Sequence, residues 1–490
     1  MAMLNKRPSG MFAFSIVWVG QAVSLLGTSM TAFALTIWAY ELTGTATALA
    51  LAGFFHVTPL LIFSPIAGAI VDRSNRKLMM MISDLGSGIA TIGILVLFMT
   101  GQMELWHIFA ANAIMGIFQT FQWPAYSAAI TMIVPKKHYA RAHAMNDLAG
   151  NTSGIFAPLL AGALLPFIGL GGILTIDIAT FLVAIGTLLI VRIPQPEATK
   201  EGLESRGSIW KESAYGFRYI FKRPSLLGLQ TVFMIGNFFA TMGYTLLAPM
   251  ILARTNSNAL IFASVETAGA VGGVVGGLLM SAWGGTKKKV HGVLTGWFIA
   301  GLFGLTIMGL GQALPVWAIG SFIGASMIPL INSSNQAIWQ AKVAADLQGR
   351  VFATRRLIAW FVVPIATLLV GPLADLVFEP AMSEPSFLSA NFGWLVGYGA
   401  GAGMALIMVF CGLAIAGVGV GGYGVRVVRD VESILPDHEI TVGPSTDDRE
   451  QLQDLLTRRQ TLITQPASPE RDYELKEVSQ QLRELGRRKI

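Results

Sequence analysis

The sequence predicts an all-α integral membrane protein: twelve transmembrane helices in two six-helix repeats, followed by a cytoplasmic helical tail. Three observations lead there. Of 490 residues, 53% are hydrophobic and 13% charged, with a mean hydropathy of +0.60, whereas soluble domains carry about 25% charged residues. Twelve apolar runs follow one another, at 11–39, 48–71, 78–100, 106–133, 146–166, 172–192, 225–252, 260–283, 291–311, 315–338, 353–378 and 393–425. Each is near or above the roughly 20 residues a helix needs to cross hydrocarbon. The chain also repeats itself at an offset of 209: Gln21, Val23 and Gly27 fall on Gln230, Val232 and Gly236, Gly68 on Gly277, and Arg141 on Arg350.

Orientation follows from the basic residues. With the N-terminus in the cytoplasm, Arg254 alone of the 34 Lys and Arg falls outside, where Glu41, Glu104, Glu379 and Glu384 cluster. This bias predicts a multi-pass plasma (inner) membrane protein with both termini cytoplasmic. The net charge of +6 sits in loops flanking apolar runs, so it points to the lipid bilayer and not to nucleic acid. The first run, Met11 to Trp38, is too long for a secretory signal core and reads as an uncleaved span. The single cysteine, Cys411, lies in an apolar run, which excludes an intrachain disulfide and argues against redox chemistry.

Four segments result: an N-terminal six-helix bundle at 1–192, a polar linker at 193–224, a C-terminal bundle at 225–425 and a tail at 426–490. In the linker, Ile209, Trp210, Phe217, Ile220 and Phe221 recur near helical spacing among Lys211, Arg218, Lys222 and Arg223, up to Pro224. That pattern predicts an amphipathic helix on the membrane surface. In the tail, Leu452, Leu455, Leu456 and Leu462 line one helix. A second starts at Pro469 and repeats Leu475, Val478, Leu482 and Leu485, which predicts a helical hairpin or short coiled coil.

Between the second and third runs stands Gly68-Ala-Ile-Val-Asp-Arg-Ser-Asn-Arg-Lys77. Four charges in six residues do not enter hydrocarbon, so this is a tight turn at a membrane surface. Asn75 suits such a turn because Asn tolerates left-handed backbone. The pattern Gly68, Asp72, Arg73, Arg76, Lys77 resembles the signature loop between helices 2 and 3 of the major facilitator superfamily, with Asn75 in place of the usual Gly. The second copy, Gly277 to Lys289, keeps the Gly and the basic end but has Ser281 for the Asp. The resemblance implies a substrate site between two halves that rock about it, with the loop as a conformational switch.

The fifth run carries Gly150, Gly154, Pro158 and Gly162 at four-residue intervals. Such a stripe lets a neighbouring helix approach closely, and it resembles the antiporter signature of the drug-efflux branch, with Ala157 where Gly often precedes the Pro. The eighth run has a similar stripe in Gly269, Gly272, Gly273, Gly276 and Gly277. Carboxylates within runs are expensive unless protonated, paired or wet, which makes Glu266, Asp177, Asp147 and Asp84 proton-coupling candidates. Of these, Glu266 sits roughly 10 Å inside the eighth helix, and the resemblance makes Asp84 and Asp177 structural partners. Arg355 and Arg356, near the mouth of the eleventh run, are gate candidates. Cavity candidates are Gln21, Asn112, Gln119, Gln122, Trp123 and Tyr126 in the first half and Gln230, Asn237, Asn332, Asn335 and Gln336 in the second. A cavity rich in amides, aromatics and methionines suits bulky amphipathic or cationic solutes.

Enzymatic chemistry has nothing in its favour. There is no phosphate-binding Gly-x-x-x-x-Gly-Lys-Ser/Thr and no His or Cys pair at metal spacing, and Gly417 to Gly422 matches a dinucleotide fingerprint without a preceding strand. No cofactor or metal is expected. Trp18 to Gly27, Val71 to Lys77, Phe121 to Ala125 and Leu435-Pro-Asp-His438 together resemble the macrolide-efflux-like branch of the superfamily. That resemblance implies a monomeric exporter of an amphipathic small molecule, macrolide- or multidrug-like, driven by proton antiport and alternating access. Siderophore or lysophospholipid transport on the same fold stays open, as does a transporter-like sensor signalling through the tail.

Overall fold

The computed structural model describes residues 10–135, 139–193, 216–343, 348–436, 446–464, 466 and 468–487. It is all-helical, and two compact units divide between Pro436 and Asp437.

In the first unit, α1 is Gly10–Thr43, α2 Ala46–Arg73, α3 Arg76–Met99 and α4 Leu105–Ile133. Tyr139–Ile190 holds two helices, α5 and α6, which meet at Gly169, whose φ of 63° suits a residue without a Cβ. The second half comprises α7 (Pro224–Arg254), α8 (Ala259–Trp283), α9 (Lys289–Leu310), α10 (Leu314–Lys342) and α11 (Thr354–Ser383). It ends with a short α12 (Phe387–Val396) and α13 (Ala402–Gly424). Ten stretches among the described residues are long and apolar enough to cross a membrane. The remaining two expected crossings fall at α4 and at the division of α5 from α6.

Two details differ from the sequence expectations. Asn75 has a φ of −67°, not a left-handed one; it is the N-cap of α3, its side chain accepting from Leu78 N at 3.1 Å. The last apolar run is not one helix from 393 to 425. It breaks between α12 and α13, where Gly397, Gly399 and Gly401 take φ values of 86°, 88° and 81°. An apolar helix end and a membrane crossing look alike in composition, so hydropathy joined them.

Large apolar side chains such as Ile89, Leu182, Leu278, Leu279, Ile319 and Leu376 are exposed around the helices, as expected of a surface solvated by lipid and not by water. Buried side chains form one cluster running through both halves, including Ile37, Ile173, Leu229, Phe262 and Trp339, and a second at one end of the first half around Phe14, Met80, Ile130 and Leu188. Within each half the helices approach over glycine. A Cβ on Gly116 would lie 2.3 Å from His56 O, joining α4 to α2, and one on Gly276 would lie 2.1 Å from Ser326 O, joining α8 to α10.

Isolated polar groups are bonded locally. Arg254 donates to Gly311 O and Val396 O, carbonyls at the ends of α9 and α12. Helix C-termini favour a cation. Beyond α13, the short helices Arg426–Arg429 and Val431–Ile434 hold to the bundle: Glu432 Oε2 accepts from Val290 N at the start of α9 (3.0 Å), and the buried Lys342 ammonium donates to Leu435 O (2.5 Å).

Of the linker, residues 216–221 are described and helical; Tyr219 and Ile220 are buried while Phe217 and Phe221 face outward and stack on each other. Ile209, Trp210 and Lys211 lie outside the described residues. The second unit is a helical hairpin of α14 (Thr446–Thr464) and α15 (Pro469–Arg487), in which Leu455, Leu462 and Val478 are buried against Leu475 and Leu482.

Candidate substrate cavity and the interface between the halves

The two halves of the first unit meet through α5 against α8 and α2 against α11. Along the small-residue stripe of α5 the separation grows steadily. A Cβ on Gly162 would lie 2.9 Å from Ala263 Cβ, one on Gly154 would lie 3.7 Å from Ala270 Cβ, and one on Gly150 would meet nothing within 4 Å. Gly273 and Gly277, on α8, likewise face open space, whereas Gly269, Gly272 and Gly276 serve the packing on α10. Pro158 is buried in the same helix.

At the closed end the contacts are specific. Asp375, in the π-helical turn Ala374–Phe378 of α11, accepts from Ala46 N at 3.0 Å and Thr47 N at 2.7 Å. It thereby caps the first turn of α2 from the other half, where exposed N–H groups and the helix dipole favour a carboxylate. Gly371, one turn away, brings α11 so close that a Cβ there would stand 2.6 Å from Thr47 Cα. Phe33 of α1 stacks on Phe262 of α8 at 5.0 Å, and Thr267 donates to Ile155 O at 3.2 Å. The halves are thus joined at the end holding the start of α2 and spread apart at the other.

A cavity of about 870 Å³ lies in the second half, among α7, α9, α10, α11 and α13. Gln230, Asn237, Asn332 and Asn335 line it, beside the aromatic walls of Phe233, Trp297, Phe352 and Trp360. Gln230 Nε2 donates to Arg355 O at 3.0 Å and Asn237 Nδ2 to Ala359 O at 3.3 Å, tying α7 to α11. Arg355 and Arg356 also line it. Gln336 accepts from Arg355 Nη2 at 2.8 Å and borders an adjoining space of about 550 Å³.

The first half holds a smaller polar pocket, about 120 Å³, lined by Gln21, Thr28, Asp84, Gln119, Gln122 and Asp177 among others. Asp84 accepts from Gln21 Nε2 and from Gln122 Nε2, each at 2.9 Å. Asp177 accepts from Thr28 at 3.0 Å and Thr91 at 3.2 Å. Among the described residues neither carboxylate has a basic partner. Repeat-related positions have therefore parted: Gln21 serves a carboxylate, and its counterpart Gln230 serves a backbone carbonyl.

The other candidates stand apart. Asn112 donates to Ala52 O at 3.1 Å, Tyr126 to Asn146 Oδ1 at 3.0 Å, and Trp123 is exposed. Glu266 is half-buried on α8, and Tyr244 of α7 lies on the large cavity's wall. In the first turn of α3, Lys77 donates to Leu189 O and Val191 O at the end of α6 (3.3 and 2.8 Å). Arg76 begins α3 and is half-buried. The surroundings of Gly68 and the side chains of Asp72, Arg73 and Asp147 lie outside what is described. Sequence reasoning did not single out Asp375; its signal was a carboxylate inside the eleventh apolar run.

Two six-helix halves, each enclosing a cavity and closely packed on each other at one end only, suit a membrane carrier, and the family comparison decides which. The Major Facilitator Superfamily model matches residues 17–368. The chain belongs to the major facilitator superfamily. Macrolide efflux protein A of Streptococcus pyogenes is 28% identical over 377 residues, 76% of this chain and 92% of that protein. Enterobactin exporter EntS of Citrobacter koseri is 22% identical over 63% of this chain and 71% of that one. The fold is shared with a bacterial homologue of human lysosomal Spinster in an inward-facing, unoccupied conformation, with a TM-score of 0.59 at 15% identity over 83% of this chain and 94% of that one. The chain is accordingly a multi-pass membrane transporter of small molecules, similar to macrolide and multidrug efflux proteins.

Proposed function

We propose that this transporter exports an amphipathic small molecule from the cytoplasm by proton antiport and alternating access. The observation that carries the reading is the large cavity of amides and aromatics beside an interface closed at one end and spread at the other. With both termini cytoplasmic, as the basic loops argue, the closed end is extracellular and this conformation faces inward. The macrolide efflux relative supports a bulky amphipathic substrate.

Proton coupling draws support from buried acids without cations. Among the described residues Asp84 and Asp177 share one pocket and hold amide and hydroxyl donors only; taking up a proton removes the cost of keeping a carboxylate charge there without a counter-charge. Glu266 lies on the helix that meets α5 across the halves, where protonation and rocking are readily linked. Residues 68–77 act as the cytoplasmic switch, and no cofactor is needed. The test is accumulation in an efflux-deficient host: expression should lower the cell content of a labelled macrolide or related amphiphile, and a protonophore should abolish the effect. Unchanged accumulation across such a panel would dismiss the reading.

A further inference from the structure

We propose that Arg355 anchors an anion subsite in the large cavity, so that the exported amphiphile carries a carboxylate, sulfonate or phosphate on an apolar body. The inference rests on the export reading for its site and adds the substrate's charge.

The cavity lining carries its charge on Arg355 and Arg356; no Asp or Glu among the described residues lines it. Arg355 is held but not neutralised. Its Nη2 donates to a neutral amide oxygen, Gln336 Oε1, at 2.8 Å. Its guanidinium carbon lies 5.3 Å from the ring centroids of both Trp339 and Phe352, close enough for each ring face to favour the cation. Nη1 is buried with no hydrogen-bond partner. A guanidinium held by an amide oxygen and flanked by two rings, with Nη1 unpartnered and no acid in the lining among the described residues, fits a planar anion.

The surroundings suit the rest of such a ligand. Asn332 and Asn335 border both the large cavity and the adjoining space that Arg355 also lines, so the polar groups around the charge include neutral amides. Trp297, Phe233 and Trp360 provide an apolar wall for the body. The amides, aromatics and methionines read from the sequence suit bulky amphipathic or cationic solutes; two arginines and, among the described residues, no acid in the lining oppose the cationic ones.

The test uses two probes with one aromatic body and opposite charge, 1-pyrenebutyrate and 1-pyrenebutylamine. Binding to the full chain in nanodiscs of zwitterionic lipid is read by energy transfer from the cavity tryptophans to pyrene, with no gradient present. The parent should bind the butyrate at least tenfold tighter than the amine. Arg355→Gln should lose that tenfold for the butyrate and not for the amine, and Arg355→Lys should retain part of it. Asn335→Asp, which keeps the arginine and supplies an internal counter-charge, should also erase the preference. Equal binding of both probes by the parent, or undiminished butyrate binding by Arg355→Gln, would overturn the subsite. Gradient-driven export without charge preference removes the subsite alone; charge preference without any export removes the export reading alone.

Discussion

Asp375 offers the sharpest perturbation of the closed end. Its carboxylate reaches across the halves to Ala46 N and Thr47 N at 3.0 and 2.7 Å, so it stabilises only states in which α2 and α11 touch there. Replacing it by Ala leaves two first-turn N–H groups without this acceptor. Loss of an N-cap costs about 0.5–2 kcal/mol, and hydrogen bonds to a charged group contribute about 1.5–3 kcal/mol. Because Asp375 is half-buried, about 1–2 kcal/mol is the fair magnitude for the pair, a factor of roughly 5–30 between two states. Differential stabilisation of this kind is what moves a conformational equilibrium. Spin labels at Glu41→Cys and Glu384→Cys, exposed positions in different halves, report the separation by pulsed electron resonance, and the buried Cys411 stays unlabelled. Asp375→Ala should move population from the short to the long distance by that factor. An unchanged distance distribution would refute the reasoning.

Gly162→Leu should act in the same direction, since its Cβ would meet Ala263 Cβ at 2.9 Å and overpacking costs about 1–3 kcal/mol; a label pair that still reports only the closed distance contradicts it. Glu266→Gln should abolish gradient-driven export while permitting downhill exchange, and Asp177→Asn should reduce coupling less; uphill pumping by Glu266→Gln at the parent rate places the proton elsewhere, with Asp84 next to test. Truncation after Pro436 should insert and fold as the full chain does. Truncation after Gly424 should lower thermal stability by about 1–3 kcal/mol, because Lys342 and Val290 lose partners in Leu435 and Glu432; equal melting of the two truncations would contradict this.

What the sequence revealed was whatever depends on composition and periodicity. Apolar runs, basic loops and the offset repeat locate the helices, because hydrocarbon admits no ambiguity about charge. The small-residue stripe of α5 was readable, as was the hairpin of α14 and α15, whose leucines recur at helical spacing. Long-range polar partners were not. Nothing local to Asp375 says that it caps α2, since the contact joins residues 329 positions apart. The pocket shared by Asp84 and Asp177 depends on how α1, α3, α4 and α6 converge. Arg355 read as a charge at a helix mouth because its stacking on Trp339 and Phe352 is invisible without packing. Asn75 was misjudged for a different reason: turn and N-cap both favour Asn, and only the backbone angle separates them.

The central claim, that substrate leaves in exchange for protons, is tested most directly in proteoliposomes with an imposed pH gradient and a pH-sensitive dye trapped inside. The account predicts that labelled amphiphile accumulates against its gradient only while the pH gradient stands, with proton flow in the opposite direction that starts on adding substrate and stops in Glu266→Gln. Substrate flux that is indifferent to the gradient, or that runs without any proton movement, would contradict it.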